Sequence, residues 1–250
     1  MNEYLKNLNR IECVVTNACT GRCKHCSEGN HEGCKDHLSG GIASRAISQI
    51  CKKYKINSLM VFGGEPLLYP EDVCEIFEAG LKSGIPQREM ITNGYFSKDE
   101  KRIEEVAAML THCGVNDIML SVDAFHQEII PIEPVYHFAK CIQEKGVKIE
   151  VNPAWLVSEA DNNPYNEKTR EILEMFLRDG FKLANGNVIW PEGNARIYLS
   201  EYFDLSSPSI NPYEDDPKDI RAVSFNPDGN VLKGNINDND ILDILEAYRP

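Results

Sequence analysis

Apolar residues along the chain fall into two recurring patterns, short uninterrupted runs and stripes of helical period. Ile11 to Thr16, Ser58 to Phe62, Met90 to Thr92 with a start near 88, Ile118 to Val122 and Val147 to Val151 are runs of strand length. Between them, Ala43, Ile47, Ile50 and Tyr54 recur at i, i+4, i+7 and i+11, a stripe that packs one helix face against a sheet. Pro70, Glu71 and Asp72 suit a helix start, Val73, Ile76, Phe77 and Leu81 its face, and Gly84 its end. Ser97 with Glu100 reads as a capping box ahead of Ile103, Val106, Ala107 and Leu110. Val135, Phe138, Ala139 and Ile142 line a further helix that Gly146 stops. Ile172, Leu173, Phe176 and Leu177 line the last helix of the series, and a sixth strand is expected near Val188-Ile189-Trp190.

Strand starts spaced by about 30 residues, with a longer first gap, are the rhythm of repeated strand-helix units. Right-handed crossovers curl such a sheet toward a barrel, and about six units are too few to close the eight-stranded form. The expected fold is therefore α/β, a partial, open parallel β/α barrel with a small C-terminal α+β extension. Residues 1–200 are assigned to the barrel core. Residues 201–250 are assigned to the extension, a hairpin of Val223-Ser224-Phe225 with Val231-Leu232 across Asn226-Pro227-Asp228-Gly229, then a helix carrying Ile241, Leu242, Leu245 and Tyr248.

Composition narrows the class. With 250 residues and 42% hydrophobic content the chain can bury one sizeable core, and it holds no membrane-length apolar run. A formal charge of -13 spread along the chain argues against a nucleic-acid partner, whose binding relies on Lys and Arg at phosphates. Met1 to Arg10 carries no apolar run of a signal peptide, which predicts a cytoplasmic protein. The nine cysteines then read as reduced thiols and metal ligands, not as disulfides.

Three of those cysteines stand together in Cys19-Thr20-Gly21-Arg22-Cys23-Lys24-His25-Cys26, directly after the first strand. Three soft ligands on one loop can hold three irons of a cubane cluster and leave the fourth iron open. The spacing also fits a buried helical stripe, but the polar residues between the thiols speak against it. A zinc site completed by His25, His31, Cys34 or His37 is the other alternative.

The pattern Cys19-x-x-x-Cys23-x-x-Cys26 resembles the cluster motif of the radical S-adenosylmethionine enzymes. The resemblance implies one [4Fe-4S] cluster on Cys19, Cys23 and Cys26 whose free iron chelates S-adenosylmethionine. It also implies reductive cleavage to methionine and a 5'-deoxyadenosyl radical that takes hydrogen from a substrate. Gly63-Gly64-Glu65-Pro66, after the second strand, is similar to the family's motif that holds the methionine amino group. Glycines there let backbone come close, and a carboxylate complements an ammonium.

The polar residues after each strand sit where a β/α barrel places its active site. Ser121 and Asp123 match the family's usual ribose contacts or act as strand-end caps. Asn93 and Asn152 are further cofactor candidates, although Asn beside Gly or Pro is ordinary turn chemistry. His126 is expected on the rim as an acid-base candidate. Cys34, in the loop after the cluster motif, is a candidate hydrogen donor or metal ligand.

The run Asn226 to Ile236 resembles the entrance to the cysteine-rich SPASM/twitch extension of peptide-modifying members. No cysteine follows Cys141, so that extension's auxiliary clusters cannot be built there. The expected substrate is a peptide or an amino-acid derivative, with a small metabolite or a non-enzymatic zinc or iron-sulfur protein as alternatives. The expected electron donor is a protein such as flavodoxin or ferredoxin, and the expected outcome is redox-neutral.

Overall fold

The computed structural model describes residues 2–206 and 215–250. Strand β1 (Arg10–Val14) leads through the cysteine loop into α1 (Gly40–Lys53), β2 (Ser58–Phe62), α2 (Pro70–Lys82), β3 (Gln87–Thr92) and α3 (Glu100–Cys113). There follow β4 (Asp117–Ser121), the single-turn α4 (Ala124–Gln127), α5 (Ile132–Glu144), β5 (Lys148–Asn152), β6 (Ala154–Trp155) and α6 (Pro164–Arg178). The core ends with β7 (Lys182–Leu183), β8 (Asn187–Val188) and α7 (Gly193–Tyr198). After 215 come β9 (Ala222–Phe225), β10 (Asn230–Val231), β11 (Gly234–Asn235) and α8 (Ile241–Ala247).

Seven strands form one sheet in the order β7-β5-β4-β3-β2-β1-β9, every pair parallel. This is the expected open β/α barrel. Parallel strands covered by side chains on both faces need continuous apolar runs, and Ser58 to Val61 of β2 are all buried. The helical stripes bury as their spacing dictates, with Ile47, Phe77, Val106 and Phe138 fully inside. No helix among the described residues is long and apolar enough to cross a membrane.

Three local expectations change. The cap of α3 is Asp99, which accepts from the Lys101 amide at 3.1 Å, while Ser97 only accepts from Asp99. An ionised acid at the N-cap meets the helix dipole as well as an amide, which favours Asp99 over the hydroxyl. The sixth strand of the barrel is Lys182–Leu183, not 188–190. Gly186, at φ +77, turns the chain so tightly that a Cβ there would meet the Pro153 carbonyl oxygen at 2.4 Å. Asn187–Val188 is thereby carried off the main sheet to pair with Ala154–Trp155.

The C-terminal hairpin also forms differently. Ala222–Phe225 joins the free edge of β1, burying Val223 and Phe225, while Asn230–Val231 pairs with Gly234–Asn235. An uncovered β1 edge would leave a row of unpaired backbone groups beside the site, and β9 satisfies them.

Helices α1 and α2 touch closely at Gly40, whose amide donates to Asp72 Oδ1 at 2.7 Å. A Cβ on Gly40 would lie 2.7 Å from the Asp72 carbonyl oxygen. Gly40→Ala is therefore expected to cost about 1–3 kcal/mol of stability through overpacking, read as a lowered urea midpoint. An unchanged midpoint would mean that the two helices separate freely.

Candidate functional site

The cysteine loop leaves the C-terminal end of β1 and is held from two sides. On one side lies the turn after β2. Gly64 donates to the Thr16 carbonyl at 2.7 Å and Glu65 to the Ala18 carbonyl at 2.9 Å. A Cβ at Gly63 would sit 2.4 Å from the Thr16 oxygen, and one at Gly64 2.2 Å from the Ala18 oxygen. The glycines were expected to make room for a ligand; in the structure they make room for the backbone of the cysteine loop.

On the other side lies α7. Asn194 donates its amide to the Cys26 carbonyl at 2.8 Å and its side chain to the Cys23 carbonyl at 3.1 Å. Cys23 also packs with Phe125, Leu156, Ile189, Ala195 and Leu199 in a small apolar cluster separate from the main core. Nothing in the local pattern at Gly193-Asn194 signals this role, because the contact joins residues 171 apart in sequence.

Two of the sulfurs lie against Gly21, where a Cβ would meet Cys23 Sγ at 3.1 Å and Cys19 Sγ at 3.7 Å, and Cys26 is near enough to interact electrostatically with both. Burial pushes the Cys19 thiol up to about 11 and raises Cys23 and Cys26 as well. Left alone these groups stay protonated; a bound cation is what makes thiolates of them. Three partly sheltered, mutually close thiols with backbone and Asn donors nearby fit an iron-sulfur cluster.

Asn93 supplies one such donor. Its Nδ2 lies 3.5 Å from Cys19 Sγ and 3.2 Å from Thr20 Oγ1, while its amide donates to Glu65 Oε2 at 2.9 Å. Glu65 is fully buried and also accepts from Thr92 Oγ1 at 2.6 Å and the Leu67 amide at 2.9 Å. Pro66 opens the short 3₁₀ turn that aims that amide back at Glu65. Glu65 thus ties the turn after β2 to the turn after β3. Burial pushes its carboxyl up to about 7 against these donors.

Asp123, expected at the ribose, spends both oxygens on the protein. Oδ1 accepts from the Phe125 and His126 amides at 2.9 and 3.0 Å, and Oδ2 from His126 Nδ1 at 2.8 Å and the Ala154 amide at 3.1 Å. Four donors fill the four lone-pair positions of a carboxylate, so Asp123 caps α4 and anchors β6. Burial opposes its charge, yet His126 holds it below the usual range, and burial likewise opposes the imidazolium that Asp123 holds above the usual one. Ser121 and Asn152 face each other across the β4–β5 ladder at the same end of the sheet, half-buried.

His126 lies at the centre of the site, not on its rim: Cys23, His25 and His126 bring ligand atoms within 4.8 Å of one another. The His25 and His126 rings meet edge to face at 4.8 Å, and burial lowers His25 to about 4. Of the other possible zinc ligands, His31 approaches Cys26 Sγ at 3.2 Å, whereas His37 stacks on Tyr69 and faces Asp72. Cys34 lies half-buried in the turn after His31, with no hydrogen bond from its thiol to the three clustered cysteines.

Two outcomes follow from these contacts. Because the folded chain holds the Glu65 proton up to about 7 against an ordinary 4.5, the stability it contributes is full below that ordinary value. That contribution is lost as pH rises through about 7. In metal-free protein, the stability of wild type relative to Glu65→Gln should fall between about pH 5 and about pH 8 in urea unfolding; parallel curves would remove the assignment. Gly64→Ala should lose most of its bound iron while keeping the circular dichroism of the fold, because its Cβ displaces the loop that carries Cys19.

Comparison with known proteins agrees with this site. A family model described as the Radical SAM superfamily matches residues 13–195. A probable GTP 3',8-cyclase of Methanocaldococcus jannaschii is 26% identical over 128 residues, 51% of this chain and 41% of its own length. One from Saccharolobus islandicus is 25% identical over 235 residues, 91% of this chain and 72% of its own length. Among solved structures, anSMEcpe with bound AdoMet superposes with a TM-score of 0.61 at 15% identity, covering 96% of this chain and 77% of that one. Streptococcus suis SuiB bound to S-adenosylmethionine gives 0.60 at 15% identity, over 96% and 66%. The structural likeness concerns the fold. The family match spans the cysteine loop, the glycine turn and the α7 seat together, and on that ground the chain belongs to the radical SAM superfamily, whose enzymes use a [4Fe-4S] cluster and AdoMet.

Proposed function

We propose that the chain is a single-cluster radical SAM enzyme that acts on a peptide or amino-acid-derived substrate with a redox-neutral outcome: epimerisation, isomerisation or cleavage. The bound cluster and AdoMet supply one electron and a carbon radical that removes hydrogen from substrate. The chain's part is to hold and shield them. Cys19, Cys23 and Cys26 bind the iron, Glu65 and Asn93 brace the loop, and Ser121 and Asn152 offer polar atoms at the mouth.

The observation that carries the redox-neutral reading is the placement of the other six cysteines. Cys13 lies in β1, Cys51 in α1, Cys74 in α2, Cys113 in α3 and Cys141 in α5, and Cys34 stands alone in its turn. No three of them share a loop that could hold a second cluster. Within these residues a substrate radical then finds no auxiliary cluster to take its electron, and it is resolved more readily by hydrogen return or fragmentation. The first electron comes from a small donor such as flavodoxin or ferredoxin.

The substrate reading rests on the mouth. Val188, Ile197 and Tyr198 are all more than half exposed on the segment that seats the cysteine loop, a surface suited to apolar side chains. The cations beside the loop are already paired, Lys24 with Glu128 at 2.9 Å and Arg22 with Glu32 at 3.5 Å. A second reading, a small metabolite, draws on the cyclase names of the relatives at 25–26% identity.

Protein prepared without oxygen is expected to carry about four irons per chain, nearly all lost when Cys19, Cys23 and Cys26 are changed together to Ala. With a strong reductant it should cleave AdoMet slowly to 5'-deoxyadenosine. The product made from a peptide library or from a metabolite extract should keep the mass of its substrate, or the fragments formed should together account for that mass. A product two hydrogens lighter, made by protein holding only about four irons, would sink the redox-neutral reading.

A further inference from the structure

Four cations of an otherwise acidic chain converge at the end of the sheet away from the cysteine loop. Lys6, Lys53, Lys55 and Arg221 line a cavity of about 540 Å³ together with Asn9 and Tyr54. A neighbouring cavity of about 480 Å³ shares Lys53, Tyr54 and Lys55 and adds Lys52. The strand starts set their place: Asn9 precedes β1, Lys55 lies just before β2 and Arg221 precedes β9. The cysteines leave β1 at its other end, after 5 residues, about 16 Å at the usual rise per residue.

Such a concentration of positive charge is not the default in a chain with 39 acidic against 26 basic residues. It is only partly neutralised. Lys53 pairs with Glu246 at 2.6 Å and Arg221 with Asp219 at 3.2 Å, while Lys6 is near Asp219 and Lys55 forms no ion pair among the described residues. A second observation is independent of charge. Tyr54 is only 6% exposed and belongs to the walls of both cavities, and its hydroxyl has no hydrogen-bond partner among the described residues. Buried polar groups are ordinarily paired, and this hydroxyl, itself closed off from solvent, is left unmet in the wall that the two cavities share.

We propose that this face binds a phosphate-bearing small molecule of nucleotide size, at a site separate from the radical centre. The volume lies in the range of small-molecule pockets. Three ammonium groups and one guanidinium come to it from the segments before β1, β2 and β9, a set that suits tetrahedral oxyanions. A single carboxylate gains little by drawing Lys53 from Glu246 or Arg221 from Asp219, since it exchanges one charge for an equal one. A diphosphate or phosphate ester brings more charge to the same volume and takes both.

The test is calorimetric titration of cluster-loaded protein, without oxygen, with pyrophosphate and with citrate at matched ionic strength. Expected is saturable pyrophosphate binding that weakens at least tenfold in Lys6→Glu/Lys55→Glu. In Tyr54→Phe it should weaken several-fold with an unchanged thermal midpoint. Both variants should cleave AdoMet at the wild-type rate, and the binding readout stands whether or not the substrate reading above survives. Absence of saturable binding, equal binding of citrate, or pyrophosphate binding unchanged in the double variant overturns the proposal.

Discussion

The close approach of the Gly63-Gly64 turn to Thr16–Ala18 is the contact on which the rest of the site depends. Main-chain hydrogen bonds of 2.7 and 2.9 Å extend the β1–β2 pairing past the end of the ladder and fix the direction in which the cysteine loop sets out. Only glycine leaves room for it. Once the loop starts there, Cys19 falls beside Asn93 of the next turn, and Cys23 and Cys26 fall over α7. The cofactor motif is a piece of packing before it is a piece of chemistry.

Two buried carboxylates near the site show how neighbours decide charge. Glu65 meets only neutral donors, and burial raises it to about 7. Asp123 meets donors as well, but also the His126 ring at 2.8 Å, and it stays ionised. A neutral hydrogen bond offsets part of the cost of burying a charge, whereas an opposite charge in the same low-dielectric space offsets much more. Glu65 is thereby poised to ionise beside a cationic ligand, while Asp123 is committed to structure.

The chain also separates its charges by face. Strand C-termini carry Cys19, Cys23, Cys26, His25, His126 and the paired Lys24, and strand N-termini carry the lysine-rich cavity around Tyr54. In a β/α barrel each strand sends one end to either face, so residues close in sequence to the same strand can serve unrelated tasks. Asn9 and Cys19, at opposite ends of β1, are an example.

Periodicity alone determined the alternation of the main strands and helices through residue 178, apart from the single-turn α4 and the short β6, because a buried parallel strand and an amphipathic helix write different repeats into the chain. Resemblance of two short motifs then located the three thiols and the glycine turn. What the tertiary structure decided was everything that joins distant residues: β9 closing the β1 edge, Gly186 diverting Asn187–Val188 from the sheet, Asn194 seating the cysteines, and His126 moving from rim to centre. None of these has a local signature, since Gly, Asn and His are equally common in turns that do nothing but turn. A periodic pattern reports which face of an element is buried. It carries no information about which partner buries it, and the site was built from partners.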